Sequence, residues 1–138
     1  MATVCASYAV EMMNKVRRAL TIGGPTFIHS LDPCPKGWDY DPIQSHEMGE
    51  LAVNTGVWPL YEVEDGVLRL TSRTAQIAAG RIRRQPVRDY LLRQGRFAHF
   101  TDDDIDYFQS KVDEMWEKWL IPGVIPFRKD VETENPPA

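Results

Sequence analysis

Residues 2–31 read as strand, helix, strand, and that order restricts the fold more than any other feature of the chain. "ATVCA" is a short apolar run of strand character. Ser7 stands where a helix N-cap belongs, and Ala9, Met12, Met13, Val16 and Leu20 follow at helical spacing, with Lys15, Arg17 and Arg18 between them. Gly23 and Gly24 stop that helix. "PTFIHSL" then reads as a second buried strand, rich in aromatic and branched residues. Two strands joined through a helix form a βαβ unit, which implies a parallel sheet. Parallel strands need helices on both faces and cover at both edges. One such unit makes a poor core, and its first strand starts almost at residue 1, as though the rest of the sheet lay elsewhere. The expected fold is α/β: a partial parallel-sheet βαβ piece of a larger domain.

Further along, Asp41 and Pro42 suit an N-cap and first helical position, for a helix running to about Thr55 and closed by Gly56. "PLYEVEDGVLRL" alternates around Asp65-Gly66, a hairpin signal. Pro86 begins a short helix ending at Gly95. Thr101 caps an acidic helix that sets Ile105, Phe108, Val112, Met115, Trp116 and Trp119 on one face. Asp102, Asp103, Asp104 and Asp106 suit the positive end of its dipole. After Pro122 the chain is Pro-rich and charged, which predicts an extended or disordered tail. The chain thus divides into an α/β portion over 1–56, a hairpin with a helical arm over 57–121, and a tail over 122–138. Four tryptophans beside an incomplete sheet predict exposed apolar patches, which mark assembly surfaces.

A length of 138 residues fits one domain. The net charge of −4 argues against a nucleic-acid partner, which would want a basic face. Eight arginines and one acid lie between Arg69 and Arg96, while seven acids and two lysines lie between Thr101 and Trp119. These segments either pair with each other or with neighbours, or form two solvated faces. No stretch approaches the ~20 apolar residues of a membrane span, and "MATVCASYAVEMMNK" lacks the pattern of a secretory leader. The expected location is the cytoplasm, where two cysteines serve as free thiols or metal ligands rather than as a disulfide.

Cys34 stands in "IHSLDPCPKGW", in a loop leaving the carboxyl end of the second strand, where open parallel sheets collect ligands. Pro33 and Pro35 fix the backbone around it and remove two amide donors. A rigid thiol there suits a metal or cluster ligand, and iron–sulfur motifs often place a proline after a cysteine. A buried thiol that merely fills space fits the same residues.

"GPTFIHSLDPCPKGW", "LAVNTGVWPLYEVEDG" and "PVRDYLLRQGRFAHF" together resemble, in order and spacing, the carboxy-terminal part of a known subunit. It is the thiamine-diphosphate-binding beta subunit of 2-oxoacid:ferredoxin oxidoreductases, the pyruvate synthase family. The similarity covers about Ala2 to Trp119. In that family the loop usually reads Ser-Pro-Cys-Pro, and its cysteine is the last of four ligands to a 4Fe–4S cluster near the thiamine cofactor. Cys34 matches that cysteine, with Pro33 and Pro35 in place and Asp32 where serine is commoner. The resemblance implies oxidative decarboxylation of a 2-oxoacid such as pyruvate with coenzyme A, electrons passing through 4Fe–4S clusters to ferredoxin. The family's earlier cysteines are absent, as are the Gly-Asp-Gly and downstream Asn that hold Mg²⁺ and thiamine diphosphate. The chain would then be either one piece of a split subunit, working with other polypeptides that carry those groups, or a fragment of a longer subunit, and in neither case active alone. A non-catalytic scaffold derived from the family is the alternative, and a redox-sensing Cys34 thiol is a third.

Among the remaining residues, Cys5 reads as a buried structural thiol and His29 as a satisfied core histidine. His46 and His99 have no partner at metal spacing. Trp38 and Tyr40 either shield a cluster from water or belong to a core or interface. Lys36 would add positive charge beside a cluster, or be simply solvated. Arg93, Gln94, Gly95, Arg96 and Phe97 would dock the arm on neighbouring subunits, with Phe97 and Phe100 as anchors.

Overall fold

The computed structural model describes residues 1–118 and Leu120. Trp119 and the tail expected beyond Pro122 lie outside the described residues. Four short strands, β1 (Ala2–Cys5), β2 (Ile28–Leu31), β3 (Tyr61–Glu64) and β4 (Val67–Leu70), form one sheet in the order β2-β1-β3-β4. β1 and β2 are parallel, with Ala2 opposite Ile28 and Cys5 opposite Leu31. The helix between them, α1, spans Ala9–Leu20, so the βαβ unit is present. β3 and β4 form the hairpin, turning at Asp65 and Gly66 with φ of 50° and 79°. That pair of left-handed residues is what an Asp-Gly turn accommodates. The sheet is mixed, because β3 lies antiparallel to β1 at Ala2 and Glu62.

The hairpin is tied in by one hydroxyl. Thr3 Oγ1 donates to the Pro59 carbonyl at 2.7 Å and accepts from the Tyr61 amide at 2.9 Å. Both groups would otherwise be unpaired where the chain enters β3, and buried unpaired groups are costly.

Four expectations for the first unit are corrected. Ser7 does not cap α1; the chain enters through a 3₁₀ turn at Ala6–Tyr8, and the Ser7 hydroxyl donates to the His46 carbonyl at 2.8 Å. β2 is an edge strand, not a buried one, because no described strand flanks its outer side. His29 is consequently exposed, its ring edge-on to Trp58 at 4.7 Å. The apolar face of α1 is also exposed: Val10, Met13, Val16 and Leu20 meet solvent, and the buried residue of this helix is Lys15.

Lys15 earns its place through hydrogen bonds. Its Nζ donates to the Thr3 carbonyl at 2.9 Å and to Thr71 Oγ1 at 2.8 Å, and pairs with Glu11 Oε1 at 2.8 Å. A buried ammonium persists only with such partners.

Helices α2 (Pro35–Trp38), α3 (Ser45–Asn54), α4 (Ser72–Ala78), α5 (Val87–Leu91) and α6 (Asp102–Lys118) complete the fold. Asp41 accepts from the Ile43 amide at 3.0 Å to open the turn before α3. Gly56 closes that helix with φ of 79°, and a Cβ there would lie 2.4 Å from Trp116 Nε1, so only glycine fits. α4 went unread in the sequence; it is pinned by Thr74 Oγ1, which accepts from the Leu60 amide at 2.7 Å. Thr101 and Asp104 cap α6 reciprocally, the Thr101 amide donating to Asp104 at 2.8 Å.

The main core gathers Met48 and Ala52 of α3, Val87, Tyr90 and Leu91 of α5, and Ile105 and Val112 of α6. Phe108, Met115 and Trp116 share one face as the helical spacing predicts, but that face, expected from the sequence to be an assembly interface, packs against this chain's own core. The basic and acidic segments do pair, through Arg84 with Asp113 and Arg88 with Asp102.

Candidate functional site

The two parallel strands end side by side at Cys5 and Leu31, and the Asp32–Cys34 loop leaves from that end. Pro33 and Pro35 hold the backbone, so Cys34 takes an extended conformation and caps α2. The turn folds back on the thiol: the Gly37 amide donates to Cys34 Sγ at 3.4 Å. Gly37 leaves room for that approach, since a Cβ there would sit 3.4 Å from the same sulfur. Cys34 is exposed and unpaired, while Cys5 is fully buried. Burial also pushes the Cys5 thiol above its ordinary pKa, with the Ser7 hydrogen bonds opposing. Cys5 is therefore a packed thiol, and Cys34 is the presented one.

Beyond Cys34 the turn is fixed from a distant part of the chain. Asp39 ends α2 in the left-handed region with φ of 58°, and its carbonyl accepts from the Gly95 amide at 2.8 Å. Arg96 lies over the Trp38 ring at 4.3 Å and over Phe97 at 4.6 Å. Its Nε donates to Gln94 Oε1 at 2.9 Å, and Gln94 Nε2 donates in turn to the Tyr90 carbonyl at 2.7 Å. Gln94 is buried, so the stack rests on a fixed base.

These contacts bring Gln94, Gly95 and Arg96 to the Cys34 turn of their own chain. Phe97 and Phe100 stack at 4.8 Å and pack against the core, and Arg93 pairs with Glu47 at 3.2 Å. Trp38 and Tyr40 also pack against the core, with Trp38 edge-on to Tyr90 at 6.4 Å. Sequence reading missed this clasp; its only signal was a buried-type amide and a glycine inside an otherwise charged "RQGR" run.

An open cleft beside the loop is lined by Ala6, Ser7, Asp32, Pro33, Ser45 and His46. His46 faces Glu50 at 3.7 Å on the surface. His99 lies edge-on to Phe100 at 5.2 Å. Among the described residues, no three His, Cys, Asp or Glu side chains converge as a metal site. A four-thiolate cluster cannot be assembled from this chain. An exposed, proline-held thiol with an amide aimed at its sulfur does fit the donation of one ligand.

No family model matches the chain. Curated relatives do. The chain is 48% identical over 113 residues to pyruvate synthase subunit PorB of Methanocaldococcus jannaschii, covering 82% of this chain and 36% of the relative. It is 43% identical to PorB of Methanothermobacter marburgensis, over 87% of this chain and 39% of that subunit. Over most of its length the chain is thus similar to one part of the PorB subunit. Ketoisovalerate oxidoreductase subunit VorB of Pyrococcus furiosus is 34% identical over 85% of this chain and 36% of VorB. The chain spans little more than a third of the length of these relatives. Among its described residues, no helix is long and apolar enough to cross a membrane.

Proposed function

We propose that this chain is the carboxy-terminal portion of the beta subunit of a 2-oxoacid:ferredoxin oxidoreductase, and that Cys34 supplies one thiolate to a 4Fe–4S cluster. The remaining ligands, the Mg²⁺ and the thiamine diphosphate belong to polypeptide outside this chain. Such a complex oxidatively decarboxylates a 2-oxoacid to its acyl-CoA, and ferredoxin takes the electrons. The relatives are named for pyruvate and for ketoisovalerate, so the substrate class stays at 2-oxoacids. The observation that carries the reading is the single presented thiol at the carboxyl ends of parallel strands, in a chain 48% identical to part of a pyruvate synthase subunit.

The cluster, when bound, supplies one-electron transfer. This chain's residues would hold and tune it. The Gly37 amide donates to Cys34 Sγ, and hydrogen bonds to ligand sulfurs are one lever on a cluster's reduction potential. Trp38 and Tyr40, which pack against the core beside the turn, would shield one side of a cluster held there from water. The segment 57–121 would serve assembly, in the cytoplasm, with the other subunits.

Native mass spectrometry of the chain purified without oxygen from its own source tests the reading. A large complex carrying iron, sulfide and thiamine diphosphate is the expected result, and Cys34→Ser should remove the low-temperature EPR signal of one cluster while assembly survives. A bare monomer, or a full set of cluster signals in Cys34→Ser, would overturn it.

A further inference from the structure

Asp39 is held in a backbone conformation that an L residue seldom adopts, and Gly95 is what holds it. With φ of 58° and ψ of 68° it is left-handed, a region that Asp enters at a cost and glycine enters freely. Strained residues persist only where their surroundings fix them. Here the fixing bond comes from far along the chain: the Gly95 amide donates to the Asp39 carbonyl at 2.8 Å. The approach leaves no room for a side chain. A Cβ on Gly95 would run into Asp39 Oδ2 and lie 2.6 Å from its Cγ and 2.9 Å from its Cβ. Turning χ1 of Asp39 clears the carboxylate but leaves that Cβ in place. Any side chain at position 95 therefore forces the Asp39 backbone to move.

Asp39 in turn closes the short helix that bears on the cysteine. Its amide and that of Tyr40 both donate to the Pro35 carbonyl, the latter at 3.2 Å. Within that closed turn the Gly37 amide donates to Cys34 Sγ at 3.4 Å. Cys34 is fixed by its two flanking prolines, whereas Gly37 is fixed by the closure at Asp39. Sulfur and donor are thus held by separate devices. We propose that Gly95 is a positioning residue for the Cys34 ligand: through Asp39 it sets the Gly37 hydrogen bond to the sulfur, and with it the reduction potential of the cluster. The inference rests on the proposed function. A donor on a ligand sulfur stabilises the reduced cluster, which carries one more electron, so withdrawing that donor lowers the potential.

Gly95→Ala, Asp39→Gly and the double variant test this in the complex purified without oxygen from cells carrying each. The signal followed is the cluster whose low-temperature EPR disappears in Cys34→Ser. Gly95→Ala should shift its midpoint potential downward. Asp39→Gly, which removes the clashing Cβ and enters the left-handed region freely, should leave it at the parent value. The double variant should also return to the parent value, a rescue that general destabilisation would not produce. Amide exchange of the full-length chain gives a second reading that needs no cluster, and it decides alone if Gly95→Ala fails to assemble. The Gly37 amide should exchange about tenfold faster in Gly95→Ala and at the parent rate in the double variant. A parent potential in Gly95→Ala, while Cys34→Ser still removes the cluster, overturns the inference and leaves the proposed function standing. A lowered potential that Asp39→Gly does not rescue also overturns it, as does an unchanged Gly37 exchange rate. Survival of every cluster signal in Cys34→Ser overturns the functional reading, and the inference with it.

Discussion

The Arg96 guanidinium lies 4.3 Å from the centre of the Trp38 ring, joining residues far apart in sequence across the turn that presents Cys34. The contact is a cation over a π face, and the planar guanidinium stacks where an ammonium would not. Arg96→Ala should cost about 1 kcal/mol in chemical denaturation. It should also speed amide exchange at Trp38 and Gly37, and Arg96→Lys should not restore slow exchange. Unchanged exchange in both variants would show that Pro33 and Pro35 alone hold the turn.

Burial separates the two thiols. Cys34 should react with a thiol reagent in the native chain, and Cys5, packed and with its thiol pKa raised by burial, should react only on unfolding. Counting modified thiols by mass before and after denaturant checks this. Two thiols labelled at equal rates under native conditions would contradict the packing around Cys5.

Gly49 lies where α3 crosses the end of β1. A Cβ there would fall 2.1 Å from Ser7 Oγ and 2.9 Å from Cys5 Sγ. Gly49→Ala should therefore destabilise the chain by about 1–3 kcal/mol. Adding Ser7→Ala removes the nearest clash, so the double variant should be more stable than additivity allows. Strict additivity in denaturation would mean that α3 simply shifts away.

Lys15 and Glu11 are held together beneath α1. Lys15→Met alone leaves the part-buried Glu11 carboxylate with the Thr71 hydroxyl but no countercharge, removes the ammonium donor to the Thr3 carbonyl, and should cost about 3–5 kcal/mol. Lys15→Met combined with Glu11→Leu should recover most of that loss, because neither charge is then stranded. Thermal melting of the single and double variants decides it.

Arg18 and Arg69 grip the Glu64 carboxylate at 2.5 Å and 2.9 Å and hold its pKa below the ordinary value. A carboxylate depressed in the folded state stabilises above its unfolded pKa, near 4.5, and that stabilisation fades as pH falls through the folded value. Glu64→Gln should thus melt below the parent at pH 7, with the gap closing at pH values under about 4. Since the pair is exposed, high salt should also narrow the gap. A gap independent of pH would assign the effect to shape rather than charge.

Much of the fold was legible because its signals are local. Asp65-Gly66 demanded a hairpin, Thr101 and Asp104 a cap, and Ile105, Phe108 and Val112 a packed face, and each requirement is met within a few residues. What misled was the βαβ unit, where Ile28, Val10 and Leu20 carry core-type chemistry without core burial. Hydrophobicity reports that a residue will be covered, not by which polypeptide. Cys34 stood out because two prolines flank it. The clasp from Gln94, Gly95 and Arg96 did not, because contacts between residues some sixty positions apart leave no periodicity to read.

The Thr3 hydroxyl also bears on the order in which the chain folds. Its partners, Pro59 and Tyr61, lie 56 and 58 positions away, so β1 completes its hydrogen bonding only once the chain entering β3 is in place. The hairpin closes through a two-residue turn and forms early, since short loops close fastest. β1 would thus complete its hydrogen bonding later than the hairpin that follows it. Until then "ATVCA" is an apolar segment free to pair elsewhere, and that waiting interval is when this chain is most open to aggregation.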